Sequence, residues 1–144
     1  MPFFPTNVMH GTDGTPESRH ALEAAVELSR STASPLHLIH VKLTSGTLHG
    51  RPMTPVQREA SEVEGHELLA REAAVAAELG VEVVGTHLRY GDHLARTMTE
   101  AAAELEAGLL VIGDSASGRL VQALTSNYST STVRRSKGSV LVVR

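Results

Sequence analysis

The chain has no cysteine and no tryptophan, and its aromatic residues are two Phe and two Tyr. Without cysteine there are no disulfides, no thiolate chemistry and no Cys-based metal site. With only Phe3, Phe4, Tyr90 and Tyr128 available, the core must be built from Ala, Val, Leu and Ile. That composition suits helices packed closely on a sheet. A formal net charge of -3 leaves no electrostatic footprint for nucleic acid. No apolar run approaches the roughly 18 residues of a membrane span. The start Met1-Pro-Phe-Phe-Pro5 is too short and too uncharged for a signal peptide, so a cytoplasmic protein is the expectation. At 144 residues the chain suits a single domain, residues 1–144, with a real hydrophobic core.

What is present alternates between two periodicities. Asn7 to Gly11 reads as a strand running into the turn Thr12-Asp13-Gly14-Thr15. Thr15 is a fitting N-cap, and Pro16 sits in the first helical turn, where its missing N–H costs nothing. Ala21, Leu22, Ala25, Val26 and Leu28 mark one apolar helix face reaching about Ser31. A second strand spans Leu36 to Val41. The Pro-, Gly- and Ser-containing stretch 42–55 reads as a loop, and Val56 to Leu79 as a long helix stopped by Gly80. A third strand is expected over Val81–Leu88 with its exit turn at Tyr90-Gly91-Asp92. A helix marked by Leu94, Met98, Ala101, Ala102 and Leu105 should end at Gly108. Leu109 to Ile112 reads as a buried strand and Val140 to Val143 as another short strand, with a helix of weak propensity over 127–136 between them. The alternation implies an α/β sandwich around a parallel five-stranded sheet.

The order of these motifs resembles the universal stress protein family. Val8-x2-Gly11-Thr12-Asp13-Gly14-Thr15 followed by Ser18-x2-Ala21-Leu22 is similar to that family's first strand, acidic turn and first helix. Leu36 to Val41 is similar to its second strand. Gly91-Asp92 matches the Gly-Asp after its third strand, with His93 in place of the usual Pro. Glu106 to Gly113 matches the approach to its phosphate loop. The resemblance covers essentially the whole chain. It implies a Rossmann-type, adenine-nucleotide alpha-hydrolase-like three-layer α/β sandwich, with strand order 3-2-1-4-5 and any ligand at the switch point between strands 1 and 4.

In ATP-binding members the phosphate loop reads G-x2-G-x9-G-[S/T], because glycines let backbone N–H groups approach phosphate oxygens. Here Gly113 keeps the first glycine, Ala116 replaces the second, Ser126 the third, and Asn127 the hydroxyl residue. Ser115 stands where a basic residue is common, and Tyr128 where a small apolar residue contacts the ligand. Ala116 is tolerated at ordinary φ but costs about 1–2 kcal/mol at positive φ, and the three replacements together point to loss of tight ATP binding. The resemblance therefore implies a non-catalytic regulatory or adaptor protein of the stress response, with no cofactor expected. The alternative is an ATP-binding, slowly hydrolysing member. Its adenine-nucleotide site would comprise Gly11, Thr12, Asp13, Val41, Gly113, Ser115, Ala116, Ser126, Asn127 and Tyr128. Asp13 reads equally well as an acidic ligand contact or as an Asp tightening the turn beside Gly14.

Other patterns carry less. His37 and His40, three apart on a strand, point to opposite faces and cannot share one ion, and no H-E-x-x-H spacing occurs, so no metal site is expected. His10, within the first strand, reads as a buried hydrogen-bonded histidine. Gly113-Asp-Ser-Ala-Ser-Gly118 has its closing glycine one residue late for a nucleophile elbow, and no histidine follows His93. Arg134, Arg135 and Lys137 suit a helix C-terminus. Ending on a strand distinguishes the chain from a phosphorelay receiver domain. Strand 140–144 is expected at a sheet edge, where the resemblance implies a homodimer through that strand.

Overall fold

The computed structural model describes residues 2–43, 47–48, 51–114 and 138–144. Its main sheet has five strands, all parallel, in the order β5-β2-β1-β6-β7. In chain order these strands are β1 (Asn7–Gly11), β2 (Leu36–Leu43), β5 (Gly85–Gly91), β6 (Ala107–Gly113) and β7 (Ser139–Val143). The expected order 3-2-1-4-5 is the one observed. Between β2 and the second helix, β3 (Thr47–Leu48) and β4 (Arg51–Pro52) form a small antiparallel pair inside the stretch read as loop.

Helix α1 (Pro16–Thr32) begins as its sequence dictates. Thr15 accepts a bond from Ser18 N–H, Pro16 occupies the first turn, and Glu17 lies at the positive end of the dipole. Ala21, Leu22, Ala25 and Val26 form its buried stripe. Helix α2 (Pro55–Glu78) opens with a full capping box between Thr54 and Gln57. It buries Gly65, Leu69, Glu72 and Ala76, one residue per turn. Gly80, at φ +101°, supplies the left-handed residue just beyond its end. Helix α3 (Leu94–Glu104) buries Ala95, Met98, Ala101 and Ala102.

These helices divide the core in two. Val8, Leu36, Leu38, Leu109 and Val111 pack against α1 and α2 on one sheet face, with Leu22, Ala25 and Leu69. Met9, Ile39, Leu110 and Ile112 pack against α3 on the other. Alternate residues of one strand feed opposite cores, as the two-residue period of a strand requires. Three layers follow directly.

Two expected boundaries are corrected. The third long strand is not Val81–Leu88 but Gly85–Gly91. After the turn at Gly80, Val81 N–H returns to Ala76 O and Val84 N–H bonds Leu36 O, while Val81 and Val83 pack against the α1/α2 core. Their β-branched character serves packing at the base of the sheet rather than strand pairing. Likewise Gly108 does not end α3. Glu106, at φ +52°, makes that turn, and Gly108 lies inside β6, where its N–H donates to Thr6 Oγ1 at 2.9 Å. The expected helix over 127–136, with Arg134, Arg135 and Lys137, lies outside the described residues.

Candidate functional site

The central strand β1 connects to β2 on one side and borders β6 on the other, so the chain reverses its direction of travel across the sheet beside β1. The crevice at the C-terminal ends of such strands is where open α/β sheets take their ligands. Gly11, Thr12, Asp13 and Gly113 converge there. Gly11 lies opposite Ile112, one residue before Gly113. Val41 of β2, opposite Arg89 of β5, packs partly buried against the α3-side core. Ser115, Ala116, Ser126, Asn127 and Tyr128 lie outside the described residues.

The loop leaving β1 is held by its own side chains. Thr12 is buried, its N–H donates to Ile39 O at 2.9 Å, and its Oγ1 accepts from Gly14 N–H and Ser18 Oγ. Asp13 Oδ1 accepts from both the backbone N–H and the hydroxyl of Thr15. That is an Asx-type turn with Gly14 at φ +78°. Of the two readings of Asp13, the turn-forming one is visible in these bonds, and Oδ1 alone carries it. His40, unassigned by sequence reasoning, reaches Thr12 O with Nδ1 at 2.7 Å and steadies the same loop from β2.

Of the two glycines at the crevice, Gly11 faces a side chain that can shift and Gly113 faces backbone. A Cβ on Gly11 would stand 2.9 Å from Met98 Cε. One on Gly113 would stand 2.5 Å from Glu17 O, which is backbone and cannot swing aside. Gly113 therefore lets the end of β6 lie against the first turn of α1.

Behind the crevice, His10 is fully buried with Nδ1 against Val111 O at 3.0 Å. The expectation of a hydrogen-bonded core histidine holds. Its Nε2 has no hydrogen-bond partner among the described residues. Burial lowers its pKa to about 4, against smaller raising effects of the Val111 carbonyl, Glu72 and Asp13. Nearby, Arg19 of α1 forks onto the buried Glu72 of α2 through Nε and an Nη, at 3.2 and 3.1 Å. Among the described residues no group of three or more His, Asp or Glu is placed to hold a metal ion.

Sequence reasoning also missed a cavity of about 320 Å³ between the C-terminal ends of β2 and β5 and the first half of α2. Lys42, Ser61, Met53, Arg58 and Tyr90 are among its lining residues, and Lys42 Nζ bonds Ser61 Oγ at 3.1 Å. Its residues come from three separate elements, so no local pattern announces it. Among the described residues, none of the sequence-derived site residues lines it.

The fold defines a Rossmann-type α/β domain whose strand order reverses beside β1. The model of the universal stress protein family matches residues 5–144, and the chain belongs to that family. A Staphylococcus aureus (strain USA300) protein named for the same family is 29% identical over 139 residues, covering 96% of this chain and 83% of its own. A universal stress protein solved in complex with cAMP superposes with a TM-score of 0.68 at 22% identity, covering 96% of this chain and 97% of the other. The Archaeoglobus fulgidus universal stress protein in complex with dAMP gives a TM-score of 0.69 at 16% identity, covering 97% and 98%. At these identities the structural likeness establishes the fold. No helix among the described residues is long and apolar enough to cross a membrane.

Proposed function

We propose that this chain is a single-domain, cytoplasmic, non-catalytic universal stress protein that acts as a regulatory or adaptor unit and has lost tight ATP binding. The observation that carries this reading is Gly113. It is the one glycine retained from the pattern G-x2-G-x9-G-[S/T], and the approach of α1 accounts for it without a phosphate. Of the remaining positions, Ala116 and Ser126 add Cβ atoms where N–H groups would have to meet phosphate oxygens, and Asn127 replaces the hydroxyl residue. Titration calorimetry with ATP and Mg²⁺ should find no micromolar binding, and micromolar affinity would overturn the reading. Restoring the pattern with Ala116→Gly, Ser126→Gly and Asn127→Ser should raise ATP affinity at least tenfold, about 1.4 kcal/mol. A folded triple variant with unchanged affinity would mean that another feature, Tyr128 foremost, closes the pocket.

A second reading is favoured by the two relatives solved with cAMP and dAMP. An adenine mononucleotide asks fewer backbone donors of the loop than a triphosphate does, and could use the crevice of Thr12, Asp13, Val41 and Gly113. The same calorimetry with AMP and cAMP tests it.

The proposed assembly is a homodimer through β7. This strand ends the sheet among the described residues, with Leu141 and Val142 exposed by 37% and 39%. Asp114 N–H donates to Val143 O, so Val143 and Leu141 turn their backbone groups toward β6. Val140 and Val142 then turn theirs outward, because these directions alternate along a strand. Antiparallel pairing of two such edges about a two-fold axis would satisfy them. The wild type should sediment as a dimer at micromolar concentration. Val142→Pro removes an outward donor while sparing the ladder to β6, and should shift the protein to monomer with its secondary structure intact. A monomeric wild type at that concentration refutes the assembly.

A further inference from the structure

His37 and His87 come from strands fifty residues apart, yet they face one another. The register sets His37 opposite Gly85 and Ile39 opposite His87, so the two histidines are diagonal neighbours on the α3 face of the sheet. His37 Nδ1 and His87 Nε2 stand 3.2 Å apart, with ring centroids separated by 5.4 Å and planes tilted by 33°. Both rings are partly buried near the N-terminal ends of β2 and β5.

We propose that His37 and His87 form a two-ligand site for a divalent transition ion of the zinc, nickel or copper(II) type, clipping β2 to the edge strand β5. The first argument is the bite. An ion bound by two imidazole nitrogens at 2.0–2.1 Å holds them about 2.9–3.4 Å apart, from cis-octahedral to tetrahedral geometry. The observed separation falls inside that range, so a small rotation of the rings suffices to aim both lone pairs at one ion. The second argument is the space beside them. A Cβ on Gly85 would stand 3.0 Å from His87 Nε2 and 3.1 Å from His37 Nδ1. The absent side chain thus leaves open a region nearly equidistant from the two nitrogens.

The protonation chemistry agrees. Burial lowers the pKa of both rings, and for His87 the neighbouring His37 and Arg89 lower it further. Neutral imidazoles offer lone pairs at pH 7. In the metal-free pair, one nitrogen donates its N–H to the other. Metal binding requires that donor ring to take its other tautomer, with the proton exchanged through solvent, so the ring stays neutral. Of the charged groups nearby, Arg89 opposes a cation and Glu104 favours one, and they pair with each other at 3.8 Å. Water would complete the coordination shell. Since the site lies at the opposite ends of the strands from the nucleotide crevice, its fate is independent of the function proposed above.

The test is calorimetric titration of zinc chloride and nickel chloride into the full chain at pH 7.5. Saturable one-to-one binding is expected, weakened at least tenfold at pH 5 and at least tenfold in His87→Ala. Gly85→Ala keeps both ligands but fills the space beside them, and should weaken binding to a similar degree. In the unaltered protein, substoichiometric Ni²⁺ should broaden the imidazole proton signals of His37 and His87 before those of any other histidine. Absence of saturable binding would overturn the site. So would wild-type affinity in a folded Gly85→Ala, or broadening that begins at other histidines.

Discussion

Between pH 7 and pH 4 the protein should lose about 3 kcal/mol of folding stability through one residue, His10. In the unfolded chain this imidazole titrates at its ordinary value of 6.5; in the folded chain, burial holds it at about 4. As pH falls below 6.5 the unfolded state takes up a proton that the folded state refuses, so stability drops by about 1.4 kcal/mol per pH unit. The loss continues until the folded ring protonates near pH 4, and then levels off. Refusal has a structural basis. Nδ1 already faces Val111 O, while Nε2 has no acceptor among the described residues, so a second N–H would be buried without a partner. Urea denaturation of wild type and His10→Asn at pH 7, 6, 5 and 4.5 checks this. The variant's stability should fall less steeply with acid by close to one proton's worth, whatever its stability at pH 7. Parallel slopes in the two proteins would remove His10 as the source.

Arg19→Met should destabilise the fold by about 2–3 kcal/mol. The change leaves the Glu72 carboxylate, with its side chain only 6% exposed, without the guanidinium that compensates it. Breaking a fully buried pair costs about 3–5 kcal/mol, and the lower figure here reflects the 41% exposure of the Arg19 side chain. Because the fork joins α1 to α2 across the top of one core, the loss should appear as a lower urea midpoint with an unchanged slope. Adding Glu72→Leu removes the stranded charge as well. The double variant should recover to within about 1 kcal/mol of wild type, since apolar residues often replace buried ion pairs at little cost. A double variant as unstable as the sum of its single changes would mean that the two residues do not act as a pair.

The local signals that proved readable were those set by neighbours a few residues away. Thr15-Pro16-Glu17 announced the start of α1, and Ala21, Leu22, Ala25 and Val26 announced its buried face. Gly80 announced the end of α2 because only a left-handed residue fits there cheaply. The misplaced third strand shows the limit. Val81-Glu-Val-Val84 has strand-forming composition, but Val81 and Val83 gain more by packing on the α1/α2 core, and the preceding turn aims them there. A glycine after a helix usually stops it, and Gly108 has that position in the sequence. Its actual constraint, the close approach of Thr6, comes from a residue 102 positions away.

The candidate site divides in the same way. Thr12, Asp13 and Gly113 were recognisable from spacing, yet their present duties are the Asx turn and the contact with α1, neither of which the motif by itself distinguishes from ligand binding. What the sequence by itself determined was the alternation of strand and helix, the caps, the family and the degenerate loop pattern. These depend on backbone preferences and hydrophobic periods within about a dozen residues. Tertiary structure alone decided the Arg19–Glu72 fork, the isolation of His10 and the meeting of His37 with His87. Those contacts depend on strand register and on which helix covers which face, and a shift of one residue in register would turn every side chain of a strand to the other side.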